Sequence, residues 1–284
     1  MCNTGDDFQH LGLTICPDID SVLYKLAGKN DIARGWGLAG ESWTVMQALK
    51  NIGGEAWFQL GDLDLATHLH RAHLLQQGLS LTEVTRRLAD GLNVVHNVWP
   101  MSDDPVRTMV GTERGELPFQ HYFVREQCRP AVTGFRFEGI HQARPQPKMM
   151  ELLAGRDLDA VVILPSNPFV SVDPILQLPG VRTALAKCAA PVIAVSPIVG
   201  GQAIKGPAAK MMQELHVPVS ARGVALYYGD LLDGMVIDLQ DEPSAAQIEA
   251  RGAQVRVGQT VMNSAEDRRM LADLVLSFAE DLAT

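Results

Sequence analysis

This 284-residue sequence lacks a paired-cysteine signature, a basic run and a long apolar stretch. Its four cysteines, Cys2, Cys16, Cys128 and Cys188, lie far apart and form no C-x-x-C pair. That argues against structural zinc and for reduced thiols in a cytoplasmic setting. Lys and Arg number 24 against 33 Asp and Glu, a net charge of -9, and the basic residues are scattered. A nucleic-acid groove or a polybasic membrane patch needs the opposite pattern. No apolar run approaches the roughly 18 residues of a membrane span, and Met1 to Gly5 shows neither region of a signal peptide. The G-x-S-x-G elbow, the Walker A pattern and a G-x-G-x-x-G after a strand are all missing, which removes the commonest hydrolase and nucleotide-binding signatures. What is present is 46% hydrophobic and 20% charged residues, enough for a sizeable core in one large domain or two small ones.

Strand-like and helical segments alternate. Asp18 to Ala27 carries apolar residues at helical spacing, with Gly28 placed to end the helix. Ser80 and Glu83 form a capping-box pattern opening a helix to about Gly91. "DAVVILPSNP" (Asp159 to Pro168) and "APVIAVSPIVGG" (Ala190 to Gly201) each read as a buried strand running into a turn. Short strands at Gly234 to Asp238 and Ala253 to Val257 flank a helix at Ala245 to Arg251, and a last helix spans Ala265 to about Leu282. This predicts an α/β fold: a Rossmann-like, mostly parallel sheet with helices on both faces. Residues 106 to 138 instead alternate polar and apolar, as antiparallel strands do. The expected organisation is a single domain with a core of about 1–92 and 146–284, and a smaller inserted subdomain at about 93–145.

Four loops carry the candidate chemistry, each expected at the carboxyl end of a strand, where ligands of such sheets bind. "NTGDDFQHLGLTICPDID" (Asn3 to Asp20) gathers Asp6, Asp7, Asp18 and Asp20 with no basic residue. Unless a cation is held there, these charges repel. Magnesium typically takes one or two carboxylates plus substrate phosphates; the alternative is that Asp7 and Asp20 are solvated and Asp18 caps the next helix. "LPSNPFVSVDPI" offers Ser166, Asn167, Ser171 and Asp173, either for a nucleobase, phosphate or ribose or as a turn before a helix. "SPIVGGQAIKGPAAKMM" combines Ser196, Gly200 and Gly201 with Lys205, Lys210 and Pro207 at a helix start, the parts a phosphate site uses. "LGDLDLATHLHRAHLL" places Asp64 and His68 on one helix face behind a capping Asp62. His68 reads as a phosphate donor, a general acid or a solvated residue, and residue spacing alone favours the last; His70 and His73 read as surface residues. Arg107 stands beside the acidic turn "MSDDPVRT" as its neutralising charge.

In order along the chain, "NTGDDFQHLGLTICPDIDSVLY", "RGWGLAGESW", "WFQLGDLDLATHLHR", "MSDDPVRT", "FQHYFVR", "PSNPFVSVDPIL", "SPIVGGQAIKGPAAKMM" and "YYGDLLDG" resemble the 2-phospho-L-lactate transferase family of deazaflavin coenzyme F-420 biosynthesis. The resemblance implies a transferase that takes a guanylyl-activated phospho-acid and the deazaflavin Fo. It moves the phospho-acyl unit (2-phospho-L-lactate, phosphoenolpyruvate or 3-phosphoglycerate) to the ribityl hydroxyl of Fo and releases GMP. It also implies Mg2+ held by Asp6 and Asp18, and a cytoplasmic homodimer. Substrate contacts are expected from Asn3, Thr4, Gly5, Asp7, His10, Asp64, His68, Ser166, Asn167, Asp173, Ser196, Gly200, Gly201 and Lys205. The competing expectation is a non-catalytic relative that binds Fo or a nucleotide. Family members carry a strand and a glycine-rich loop ahead of their "NTGDD" segment, whereas Met1 here stands just before it. A chain extended upstream by about one β-α unit, roughly 30 to 40 residues, is therefore expected to melt higher and turn over faster.

Overall fold

The computed structural model describes residues 1–283. The chain divides into two compact units, Met1–Pro130 with Phe135–Gln146, and Ala131–Gly134 with Pro147–Thr284.

The first unit opens with a hairpin of β1 (Phe8–His10) and β2 (Leu13–Ile15), then α1 (Pro17–Leu26), α2 (Thr44–Asn51), α3 (Asp62–Gln76) and α4 (Leu81–Gly91). Pro17 occupies the first turn of α1, where its missing N–H costs nothing. The Ser80–Glu83 capping box forms in full. Asp62 does not cap its own helix. It accepts from the N–H groups of Thr44 and Val45 at 3.0 and 3.1 Å, and so caps α2. Glu41 caps α3 in exchange, accepting from the N–H groups of Leu63 and Asp64 at 2.8 and 2.9 Å. A Cβ on Gly61 would fall 2.0 Å from the Glu41 carboxyl carbon, so glycine there makes room for the cap.

The sheet β4-β3-β5 follows, from β3 (Arg107–Thr112), β4 (Gly115–Pro118) and β5 (Val132–Glu138). Its antiparallel β3–β4 pairing is the pattern read from the sequence. Residues 93–130 and 135–146, most of the expected insertion at about 93–145, cluster in the same unit as the N-terminus, and backbone hydrogen bonds tie residues 99–108 to it. Cys2 N–H donates to Trp99 O and Met101 N–H to Cys2 O, each at 2.8 Å, and Thr108 N–H donates to Gly5 O at 2.7 Å.

The second unit contains α5 (Pro147–Ala154), β6 (Val161–Ile163), α6 (Asp173–Leu176), α7 (Val181–Leu185), β7 (Val192–Val195), the β8–β9 hairpin (Ile198–Val199, Gln202–Ala203) and α8 (Ala208–Glu214). It ends with α9 (Ala221–Tyr228), β10 (Gly234–Asp238), α10 (Ala245–Glu249), β11 (Gln254–Gly258) and α11 (Ala265–Ala283). The sheet order is β11-β10-β7-β6 and every pairing is parallel. Every β7 and β10 residue is buried, so both faces of these central strands are covered, which is why they read as continuous apolar runs. On one face Ile193, Val195 and Val236 pack against Leu271, Val275 and Phe278 of α11.

Two positions in the fold are sensitive to substitution for local geometric reasons. A Cβ on Gly223 in α9 would sit 1.8 Å from the Pro218 carbonyl oxygen, a backbone atom that cannot swing aside. Gly223→Ala should therefore cost about 1–3 kcal/mol in chemical denaturation, and an unchanged midpoint would contradict it. The second concerns the acidic turn, where the partner is Arg144 rather than Arg107: its Nε and Nη2 both donate to Asp104 at 3.0 Å. Arg107 instead donates to the Val106 carbonyl. Hydrogen bonds from Arg144 hold the Asp104 carboxyl down at about 2. A depressed carboxyl stabilises above its unfolded pKa and loses that contribution as pH falls through its folded one. The stability gap between the protein and Asp104→Asn should be full at about pH 5 and close towards about pH 2; it should be small, because Arg144 is exposed. A gap that persists undiminished in acid would refute the assignment.

Candidate functional site

The acidic loop is shaped by its own side chains. Asn3 Oδ1 accepts the Gly5 N–H at 2.7 Å, and Asn3 Nδ2 donates to Asp18 Oδ2 at 3.0 Å, joining the loop to the first turn of α1. Gln120 Nε2 fixes the other side by donating to the Asp6 carbonyl at 3.2 Å. Asn3, Thr4, Asp6 and Asp7 are all buried. Among the described residues Asp6 Oδ1, Asp7 Oδ1 and Thr4 Oγ1 have no hydrogen-bond partner. Burial and then the Asp18 charge push the Asp6 carboxyl well above its ordinary value, with the Asn3 amide opposing. Burial raises Asp7 to about 8 against a hydrogen bond from Cys16 and the weaker pull of Arg107 and Arg71, and burial also raises Asp18. These carboxyls are therefore buried rather than solvated, and burial presses them towards the protonated form. Asp18 caps nothing with its side chain, since α1 has no side-chain cap.

Asp20 is the exception. Arg71, 0% exposed, grips it with two nitrogens: Nη1 donates to Oδ2 at 3.1 Å and Nη2 to Oδ1. Burial would lower the Arg71 pKa, but the Asp20 charge overrules it and raises it. Arg71 Nη1 also lies 3.1 Å from His68 Nδ1. A guanidinium can only donate, so Nδ1 is the acceptor, and the Nε2–H tautomer assigned on that basis faces Asp64 Oδ2 at 3.3 Å. Tyr24 completes the network by donating to Asp64 Oδ1 at 2.6 Å. Burial would raise Asp64, but the His68 ring, the Tyr24 hydroxyl and the Arg71 charge outweigh it. The solvated reading of His68 thus fails: the ring is 1% exposed, while His70 and His73 are on the surface. Asp20, Asp64 and His68 place ligand-type atoms within 4.8 Å of one another. With both Asp20 oxygens on Arg71, the charges of this network are paired, while His68 Nε2 and Arg71 Nε have no hydrogen-bond partner among the described residues; the orphaned oxygens lie in the neighbouring loop.

The other expected residues fall in the second unit, where several are spent on local bonds. Asn167 Oδ1 accepts from Phe169 N–H at 3.0 Å, and its amide donates to Met211 Sδ at 3.2 Å. Ser196 Oγ donates to Ile198 O at 2.8 Å and accepts the Ile198 N–H at 3.2 Å. Both follow the turn reading of their loops. Asp173 accepts from Tyr227 at 2.9 Å and Gln177 at 2.6 Å, and burial raises its carboxyl despite them. Gly200 and Gly201 have positive φ at the tip of the β8–β9 hairpin, as a close-approach loop requires. The Gly200 N–H, however, already donates to Asp241 Oδ2 at 3.2 Å. Pro207 precedes α8 as expected, Lys205 is exposed, Lys210 pairs with Glu214, and Ser166 is half-buried. The sequence reading left Tyr24 and Arg71 without roles. Arg71 was detectable in principle, because Asp64, His68 and Arg71 at i, i+4 and i+7 share one face of α3.

A parallel-sheet unit with helices, joined in one chain to a unit that holds a loop of buried carboxyls, defines an α/β protein. The model of the family described as "2-phospho-L-lactate transferase CofD" matches residues 1–275. A phosphoenolpyruvate transferase of Kitasatospora aureofaciens is 40% identical over 99% of this chain and 88% of its own length. A 2-phospho-L-lactate transferase of Methanosarcina mazei is 37% identical over 97% of this chain and 90% of its own. Among solved structures, a UPF0052-family protein of Bacillus halodurans superposes with a TM-score of 0.55 at 12% identity, over 96% of this chain and 89% of that one, a likeness of fold. The chain belongs to the 2-phospho-L-lactate transferase family and is a transferase of coenzyme F-420 biosynthesis.

The paired charges yield a prediction. Arg71→Met should destabilise the protein by about 3–5 kcal/mol, because it leaves Asp20 buried and unpaired. Adding Asp20→Asn should recover a large part of that loss. Additive losses in the double variant, measured by chemical denaturation, would show that the two charges do not depend on each other.

Proposed function

We propose that the chain moves a phospho-acyl unit from its guanylyl-diphosphate form to the ribityl hydroxyl of Fo and releases GMP. Support comes from the family and from relatives named both phosphoenolpyruvate transferase and 2-phospho-L-lactate transferase. The observation that carries the reading is the loop of buried carboxyls whose Asp6 Oδ1 and Asp7 Oδ1 have no partner among the described residues. An oxygen-only donor set with orphaned atoms, pressed towards protonation by burial and by mutual charge, suits a hard divalent cation. Asp6 and Asp18 would hold magnesium there. When bound, it would supply charge neutralisation for the diphosphate and for the departing GMP.

The chain's own residues do the positioning. Asn3 holds Asp18 by its amide and the loop backbone by its carbonyl. Gln120 and the Thr108 N–H fix the backbone on either side of Asp6. The Arg71–Asp20 pair keeps the first turn of α1 in place beside it. The transfer itself forms a bond from the ribityl oxygen to the phosphorus of the phospho-acid and breaks the bond from that phosphorus to GMP. Such displacement needs mostly alignment and electrostatics. In the second unit, Lys205 is the candidate cation for a phosphate. The enzyme is read as a cytoplasmic homodimer, from the wide spacing of its cysteines in sequence and from its family; no described helix is long and apolar enough to cross a membrane.

Asp6→Asn should lower Fo-dependent GMP release by about 100-fold or more, the loss of several kcal/mol of charge stabilisation, with the melting temperature of the metal-free protein maintained or raised. Titrating magnesium against melting temperature should stabilise the parent protein and leave the variant unmoved. Undiminished turnover of the variant at limiting magnesium would overturn the metal role.

A further inference from the structure

The acidic turn at residues 101–108 leaves one of its charges unspent. Asp104 is held by Arg144, and Asp103 Oδ1 accepts the Thr82 N–H at 2.7 Å. Arg107, the first residue of β3, donates through Nη1 to the Val106 carbonyl at 2.7 Å, and its guanidinium makes no other hydrogen bond among the described residues. Of the lysines and arginines of the first unit that are buried or half-buried, Arg71 pairs with Asp20 and Arg34 with Asp31. Arg107 is the third, and among the described residues it has no carboxylate partner.

Its place is set by the strand. Thr108, Val110 and Thr112 are buried, so Arg107 falls on the more open face of β3 with Met109 and Gly111. The Thr108 N–H donates to the Gly5 carbonyl at 2.7 Å, which lays the start of β3 against the acidic loop at the residue before Asp6. The charge is felt there: of the cations acting on the buried Asp7 carboxyl, Arg107 pulls hardest, ahead of Arg71. Asp7 is nevertheless not its partner. The two side chains form no ion pair, and Asp7 Oδ1 has no hydrogen-bond partner among the described residues. A guanidinium withdrawn from water without a counter-charge costs free energy. It also presents a rigid fork of N–H donors that matches a carboxylate. Such a group suits an anion that arrives from outside.

We infer that Arg107 binds the carboxylate of the phospho-acid half of the donor and so recognises the acid. The inference rests on the proposed function for the identity of that donor. 2-Phospho-L-lactate, phosphoenolpyruvate and 3-phosphoglycerate each carry one carboxylate besides the phosphorus group. In that reaction the cation of the acidic loop neutralises the diphosphate, which leaves the carboxylate as the donor's remaining charge. The carboxylate takes no part in the bond made or the bond broken. A contact to it therefore contributes to donor binding equally in the ground state and the transition state. Arg107 determines specificity and stands outside the displacement.

The test is equilibrium binding of guanylylated 2-phospho-L-lactate and of GDP, by calorimetry with magnesium present, to the parent, Arg107→Gln and Arg107→Lys. Arg107→Gln should weaken donor binding by about tenfold or more, the loss of a charge-assisted contact. GDP affinity and melting temperature should stay near those of the parent. Arg107→Lys keeps the charge but not the fork, and should recover only part of the loss. In Fo-dependent GMP release, Arg107→Gln should raise the KM for the donor and leave kcat near the parent value. Donor affinity unchanged in Arg107→Gln, or lost equally for donor and GDP, would overturn the carboxylate contact. So would a parent that binds the donor no more tightly than GDP. The reaction is assayed apart from it: a parent that binds the donor through Arg107 without releasing GMP refutes the transfer and upholds the contact. A parent that transfers while Arg107→Gln binds the donor equally well refutes the contact alone.

Discussion

The Arg71 guanidinium, sealed from solvent, is the interaction on which the first unit depends. Its two nitrogens on Asp20 hold the start of α1, and a third contact, to the Thr14 carbonyl at 3.3 Å, holds the strand before it. Taking such a pair out of water is expensive, and a hydrophobic replacement is often as stable. The pair is therefore better understood through what it positions. With Asp20 neutralised inside the network, Asp6, Asp7 and Asp18 are the carboxyls left over, two in the loop and one in the first turn of α1, joined through Asn3. The charge balance of the unit separates a charge-paired cluster from a group of carboxyls a few residues away.

That separation also explains which parts were legible in the sequence. The parallel sheet was legible because β7 and β10 are buried on both faces and so appear as unbroken apolar runs. The capping box at Ser80 was legible because both of its partners lie within one turn. The exchange of caps between Glu41 and Asp62 was not: each carboxylate serves the other's helix across some twenty residues, and local spacing carries no trace of that. The face of α3 was misread for a related reason. Asp64, His68 and Arg71 form what pattern reading takes as the solvent side, while Leu63 and Leu69 are more than half exposed. Polarity predicts exposure only when the polar groups lack one another as partners.

The candidate site divides in the same way. Its acidic loop was legible as a charge anomaly, since four carboxylates without a base demand an explanation at any burial. The rings gathered beside it were not, because Phe8, Trp57 and His121 are separated by long stretches of chain and come together only through the hairpin and the segment after β4. Single aromatic residues in a sequence are the default material of cores, and no spacing rule sets this group apart. The buried His10 Nε2, without a hydrogen-bond partner among the described residues, is visible only in three dimensions.

The glycine hairpin of the second unit shows how a motif can mislead. Gly200 has the backbone conformation and the exposed tip that a phosphate loop requires. Yet its N–H is held by Asp241, and a Cβ there would press within 2.9 Å of Gln240 Oε1. Glycine at this position is thus already explained by the approach of residues 240 and 241. An anion competing for the same N–H would face the Asp241 carboxylate, whose charge repels it. As arranged, the backbone donor that the motif advertises is engaged, and the Lys205 side chain is exposed. A motif specifies which conformations a loop can adopt; whether its hydrogen-bonding groups are free is decided by residues elsewhere in the chain.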